Sequence, residues 1–224
     1  MLFKCEYCKK QFKRENTLVV HMCQKKRRHM EKDEPNIRLG FRTYQLFYKL
    51  GTAAKNAKSY DDFVNSQYYM AFVKFGKYCL DLKINDVEGY ATWLIKNGTR
   101  LDDWTSDRVF NKWIKTRLKD ETPERAVERT ILFMTAWAEE TDNNWVDYFD
   151  KVPTNLIVFH ICSGKISPWV IYSSNKAQNL IDKMNDEQLK LISDYIDPQF
   201  WQVRLARKAA DFNWTKQIVT QAGF

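Results

Sequence analysis

The strongest constraint on this chain lies in its first 23 residues. Cys5 and Cys8 stand three positions apart, His21 follows after a gap of twelve, and Cys23 comes two positions later. Two thiols at that spacing can grip one ion from a tight turn, and a histidine further on can approach from a helix. Four sulfur and nitrogen donors closing a tetrahedron is how Zn2+ is held when its role is structural. Phe3, Phe12 and Leu18 are the few apolar side chains available around such a site. With so small a core, metal binding supplies most of the folding free energy.

The fourth donor is less obvious than the first three. Positions 25–27 are Lys25, Lys26 and Arg27, none of which ligates zinc at neutral pH. The choice lies between Cys23 and His29. In an unbroken helix His21 and Cys23 point about 200° apart, and His29 lies about 12 Å further along the axis. Either donor requires the helix to break after His21. Cys23 needs only a terminal unwinding and is preferred, with His29 the alternative. Five cysteines, an odd number with one tight cluster, suit a reduced compartment and a metal site better than a disulfide framework. Cys79 and Cys162 stand alone in apolar surroundings and read as small core residues.

Residues 3–21 match the pattern aromatic-x-C-x2-C-x3-F-x5-L-x2-H at every position, and so resemble the C2H2 zinc fingers, or a C2HC variant if Cys23 closes the site. The resemblance implies a small ββα unit whose base-reading positions fall on Arg14, Asn16, Thr17 and Val20, with Lys13 beside them. Arg14 suits a guanine edge and Asn16 and Thr17 weaker polar contacts, whereas Val20 can hydrogen-bond nothing. One finger spans about three base pairs, too few to select a site alone.

Charge points the same way. Residues 1–32 carry ten Lys/Arg against three acids, so nearly all of the chain's net +8 sits there. The run Lys25-Lys26-Arg27-Arg28 forms a compact patch for phosphates, giving salt-sensitive and largely sequence-independent affinity. A solvated charge run, a finger that binds protein, and a purely structural finger are the alternatives.

After Pro35 the composition changes, which divides the chain into a finger with its basic exit (1–32) and a helical domain (35–224). Seven glycines and five prolines are few for 224 residues and favour helices. Helix starts are marked by Ser59, Asn85, Ser106, Thr122-Pro123, Ser167-Pro168, Ser174, the capping box Asn185…Gln188, and Asp197-Pro198. Gly51, Gly98, Gly164 and Gly223 mark stops. No segment alternates with period two, so the expected fold is all-α: one compact, irregular multi-helix domain behind a small ββα finger. No apolar run approaches the roughly 20 residues of a membrane span, and the N-terminus does not read as a signal peptide. The expected location is cytoplasmic.

Catalytic motifs are missing from the sequence. His160, two residues from Cys162, is the sole imidazole outside the finger region, and the two would face opposite sides of a helix. The acid pairs Asp61-Asp62, Asp102-Asp103 and Glu139-Glu140 diverge along a helix, so adjacency makes no two-carboxylate site. Trp104, Trp169 and Trp201 lie near helix ends, where exposed rings could stack single-stranded bases; packing between helices is the simpler expectation. The leading finger, basic exit, helical body and Ser167-Pro168-Trp169 segment together resemble a group of small proteins of large tailed bacteriophages. That resemblance implies the cytoplasm of an infected bacterium and a role near phage DNA replication, repair or transcription. The expectation is a zinc-finger accessory protein that binds DNA, or another nucleic acid, without catalysis. Its alternatives are an adaptor for polymerase or virion proteins and a DNA-processing enzyme. Neither a membrane nor a small-molecule substrate is indicated.

Overall fold

The structure is a computed structural model that describes residues 2–51 and 57–223. Among them are fifteen α-helices and one two-stranded antiparallel sheet, an all-α fold with a small β element at its N-terminus. The chain falls into two compact units, one ending at Val109 and the other beginning at Phe110. The division between units falls within a helix, Asp107–Asp120, which contains no proline or glycine.

The first unit opens with β1 (Phe3–Lys4), β2 (Gln11–Phe12), α1 (Glu15–Val19) and α2 (Gln24–Met30). It continues with α3 (Pro35–Gly51), α4 (Tyr60–Asn65), α5 (Tyr69–Asp81) and α6 (Val87–Lys96), and α7 (Asp107–Asp120) leads out of it. Pro35 begins α3, where its missing N–H costs nothing. Ser59 and Asp62 form a reciprocal capping box at α4, satisfying two amides that would otherwise lack partners. The α6 cap is Asp86 rather than the expected Asn85: its carboxylate accepts from the Gly89 amide at 2.8 Å. Gly89 suits that turn because a Cβ there would lie 2.3 Å from the same carboxylate.

Helices α3 and α5 cross with their backbones in contact. A Cβ on Gly76 would lie 2.1 Å from the Asn36 carbonyl oxygen, and one on Gly40 would lie 2.7 Å from that of Phe72. Around this crossing pack Tyr44, Phe63, Phe72, Phe75 and Tyr90, all buried, with Trp104 at the centre of edge-to-face contacts to Phe47, Phe72 and Phe75. Trp104 donates its indole N–H to the Thr99 carbonyl at 3.0 Å, and the Tyr90 hydroxyl donates to the Trp104 carbonyl at 3.2 Å. The polar ends of these rings are thereby satisfied inside the core.

The second unit comprises most of α7 followed by α8 (Pro123–Thr141), α9 (Tyr148–Lys151), α10 (Thr154–Cys162) and α11 (Pro168–Ser173). It ends with α12 (Asn175–Ile181), α13 (Asp186–Ile196), α14 (Pro198–Arg207) and α15 (Ala209–Gln221). The caps expected at Ser167, Ser174, Asn185 and Asp197 are formed. Thr122 precedes Pro123 at the α8 start without a side-chain cap bond. Ala126, Trp169, Trp201 and Leu205 make one buried cluster. Beside it Glu121 and Arg129 form a buried, bidentate ion pair with both N–O distances 2.7 Å. The Arg129 guanidinium also donates to the carbonyls of Gly164 and Lys165, so no charged atom of the pair is left idle. The three tryptophans considered for base stacking are 0–1% exposed, and so are core residues.

Candidate metal centre and its basic surroundings

The hairpin that presents Cys5 and Cys8 follows from the pairing of Phe3 with Phe12 and Lys4 with Gln11. The Cys5 amide donates to the Lys10 carbonyl and the Lys9 amide to the Cys5 carbonyl, each at 2.9 Å. To close this turn Lys9 takes a left-handed conformation with φ 61°, a region that suits glycine and costs a side-chain-bearing residue about 1 kcal/mol. Cys5 is 3% exposed, the one buried residue of the first thirty described.

Helix α1 stops at Val19, ahead of His21, so the single long helix of a ββα finger is replaced by two short helices with a bend between them. The His21 ring packs on Phe12 with centroids 4.7 Å apart. Its Nε2 lies 3.2 Å from the Cys8 sulfur. Cys23 is extended (φ −93°, ψ 162°) and caps α2, its sulfur accepting from the Lys26 amide at 3.4 Å. The break expected after His21 thus comes slightly earlier, and it turns Cys23 back toward the first three donors.

The ligand atoms of Cys5, Cys8, His21 and Cys23 all lie within 4.8 Å of one another, and together they can hold a metal ion. Four donors at about 2.0–2.3 Å from a common centre, arranged tetrahedrally, sit roughly 3.3–3.8 Å apart, so the cluster needs only a small contraction to close. The sulfurs already influence one another. The Cys8 amide, followed by the Tyr7 amide and then the Cys8 and Cys23 sulfurs, holds Cys5 below its usual range against the effect of burial. Cys8 is lowered by the Lys10 amide but raised on balance by burial and by the Cys5 and Cys23 sulfurs.

His29, the alternative fourth donor, is engaged elsewhere. Its Nε2 lies 3.2 Å from an Asp61 carboxylate oxygen, and its ring sits between Tyr7 at 5.0 Å and Tyr60 at 5.6 Å. Arg28 is likewise committed: its guanidinium donates to the Val64 carbonyl and lies 4.0 Å from the Tyr69 ring centroid. The Tyr60 hydroxyl donates to the Arg28 carbonyl at 2.7 Å. Together these contacts fasten α2 to α4 and α5. Nothing local in the sequence announces them, because the partners lie some thirty residues away.

The remaining basic candidates divide in two. Lys26 folds back, its ammonium 3.4 Å from the His21 carbonyl. Lys13, Arg14, Lys25 and Arg27 are exposed and make no ion pair among the described residues, and Asn16 and Thr17 are exposed beside them. Val19, Val20 and Met22 are also exposed, at 68%, 77% and 47%, so an apolar strip follows the polar face of α1.

Elsewhere the reactive side chains are sequestered. His160 is 8% exposed, its Nδ1 hydrogen-bonded to the Tyr148 hydroxyl, and burial, helped by nearby Lys165, lowers its pKa to about 4. Burial raises Cys79 to about 12 and Cys162 to about 11, which disfavours the thiolate of each at neutral pH. Asp62 belongs to a helix cap, Asp61 faces His29, and Glu139 and Glu140 are exposed. No helix among the described residues is long and apolar enough to cross a membrane. Comparison of the chain with protein-family models, with curated proteins and with solved structures finds no match.

Proposed function

We propose that the N-terminal segment is a structural zinc clasp that binds nucleic acid, chiefly through the phosphate backbone. Three cysteines and one histidine are a closed structural zinc set; with all four positions taken by protein, the ion would hold the fold and leave no site for substrate. The observation that carries the reading is the group of exposed, unpaired cations Lys13, Arg14, Lys25 and Arg27 on a segment bearing most of the chain's net charge. Each is free to replace condensed counterions around a phosphate. Arg28 is not part of this surface. With Val20 at the place of a base reader, sequence discrimination is expected to be weak. We read the setting as DNA replication, repair or transcription, in keeping with the resemblance to helical phage proteins.

The test is fluorescence anisotropy of the full chain with labelled duplex DNA across a salt series. The Lys25→Gln/Arg27→Gln pair should weaken binding about tenfold or more and lower the salt slope by roughly two. Equal affinity in the variant overturns the reading. The exposed Val19, Val20 and Met22 favour a second reading, in which the clasp docks on a protein. Under that reading Val19→Ser/Val20→Ser abolishes partner capture while the Lys25/Arg27 variant leaves it intact.

A further inference from the structure

The second unit carries its own basic and aromatic surface, on α14. Phe200, Val203, Arg204, Arg207 and Lys208 recur at spacings of three and four, forming one stripe, and with Gln199 they line a groove of about 500 Å³. Between residues 198 and 210 there are three cations and no acid, inside a unit whose remaining charges are net acidic. The flanking acids are already engaged: Asp197 caps α14 and pairs with Lys119 at 3.2 Å, and Asp211 pairs with Lys208 at 3.1 Å. Arg207 is exposed and without an ion pair among the described residues.

Arg204 is packed among aromatic rings. Its guanidinium lies 5.4–5.9 Å from the ring centroids of Trp201, Trp169 and Phe200. One terminal nitrogen reaches the Glu121 carbonyl at a long 3.4 Å. Its Nε is shielded from solvent and has no hydrogen-bond partner. A shielded donor without a partner is unfavourable, so this side chain is not fully satisfied by the fold. Lys119, paired with Asp197, lies 4.6 Å from the Phe200 centroid at the other end of the stripe.

We infer that this groove binds a single-stranded nucleic acid, with a phosphodiester between Arg204 and Arg207 and a base against Phe200 and Val203. A guanidinium fork matches phosphate geometry bidentately, and a base face tolerates any sequence on an aromatic neighbour. The stripe extends about 12 Å along the helix, the reach of roughly two nucleotides. This goes beyond the clasp reading and does not depend on it, since neither the metal nor residues 1–32 take part.

The experiment uses the full chain with a labelled oligothymidylate and compares wild type, Arg207→Gln, Arg204→Lys and Lys25→Gln/Arg27→Gln. Arg207 is exposed, so its substitution leaves folding intact; Arg204→Lys keeps the charge and stem but removes the fork. Each α14 variant should weaken binding about fivefold, the Arg207 variant with an unchanged thermal midpoint, and ultraviolet cross-linking should label the peptide spanning 198–208. Affinity within about twofold of wild type in both α14 variants would overturn the inference, whatever the clasp pair does. Loss in the α14 variants alone supports it even if the clasp variant binds duplex DNA normally. Displacement of the oligonucleotide by polyglutamate at equal charge concentration would also overturn it, because a generic polyanion surface needs neither fork nor ring.

Discussion

The clasp and the helical units solve the problem of holding a chain together by opposite means. In the clasp only Cys5 is buried, and Phe3, Phe12 and Leu18 are half-exposed. In the helical units whole aromatic side chains are fully enclosed, among them Trp104, Trp169, Trp201 and Phe72. The first region has four donor atoms grouped where they can hold an ion, and the second has apolar area removed from water. A few side chains with the right donors can substitute for a core, but only while their ion is present.

Removing the metal breaks that comparison most severely. An apparent metal contribution of about 10–16 kcal/mol is expected for a clasp of this kind. Treatment with a strong chelator should therefore erase the dispersed NMR signals of residues 3–23, while amides of α5, α6 and α8 keep their positions. Simultaneous collapse of all signals would show that the regions are not energetically separate. Next in size is Glu121→Gln. With Arg129 left buried and unpaired, the second unit should lose about 3–5 kcal/mol, read as a lower denaturant midpoint.

Gly76→Ala should cost the first unit about 3 kcal/mol, because the added methyl meets backbone at 2.1 Å and the α3–α5 crossing has to open. The variant's thermal midpoint checks this, and a change under about 1 kcal/mol would contradict such close contact. Acid gives the smallest and most graded effect. His160 ordinarily titrates near 6.5 and is held near 4 in the fold, so between those values the unfolded chain binds a proton that the folded one refuses. Stability of the second unit is then fully present above about pH 6.5 and declines by up to roughly 3 kcal/mol as pH falls to 4. His160→Gln should flatten that decline in urea titrations, even though it lowers stability at neutral pH.

Much of the framework was legible because helix ends are local. The capping boxes at Ser59–Asp62 and Asn185–Gln188 and the Asp197-Pro198 start are written within four residues. The Asn85/Asp86 slip is of the same kind, two adjacent residues competing for one cap. The grouping of Cys5, Cys8, His21 and Cys23 was legible for a similar reason, since spacing suited to a shared ion is itself a sequence pattern. Features depending on partners far along the chain were not: the contact between Gly40 and Phe72, the His29–Asp61 pair, and the use of Arg28 as a fastener. Glu121 and Arg129 lie eight residues apart, yet their burial depends on α10 and the turn after it. The division at Val109 and Phe110 has no local mark because it falls inside α7.

Cys23 holds two offices at once. Its sulfur belongs to the donor cluster and also terminates the free end of α2, the helix whose far end is riveted to Tyr60, Val64 and Tyr69. An alkylating agent or oxidant that captures this one atom would open the cluster and fray the splice leading into the helices in a single event. The integrity of the donor cluster and the posture of this segment on its own unit are therefore reported by the same thiol.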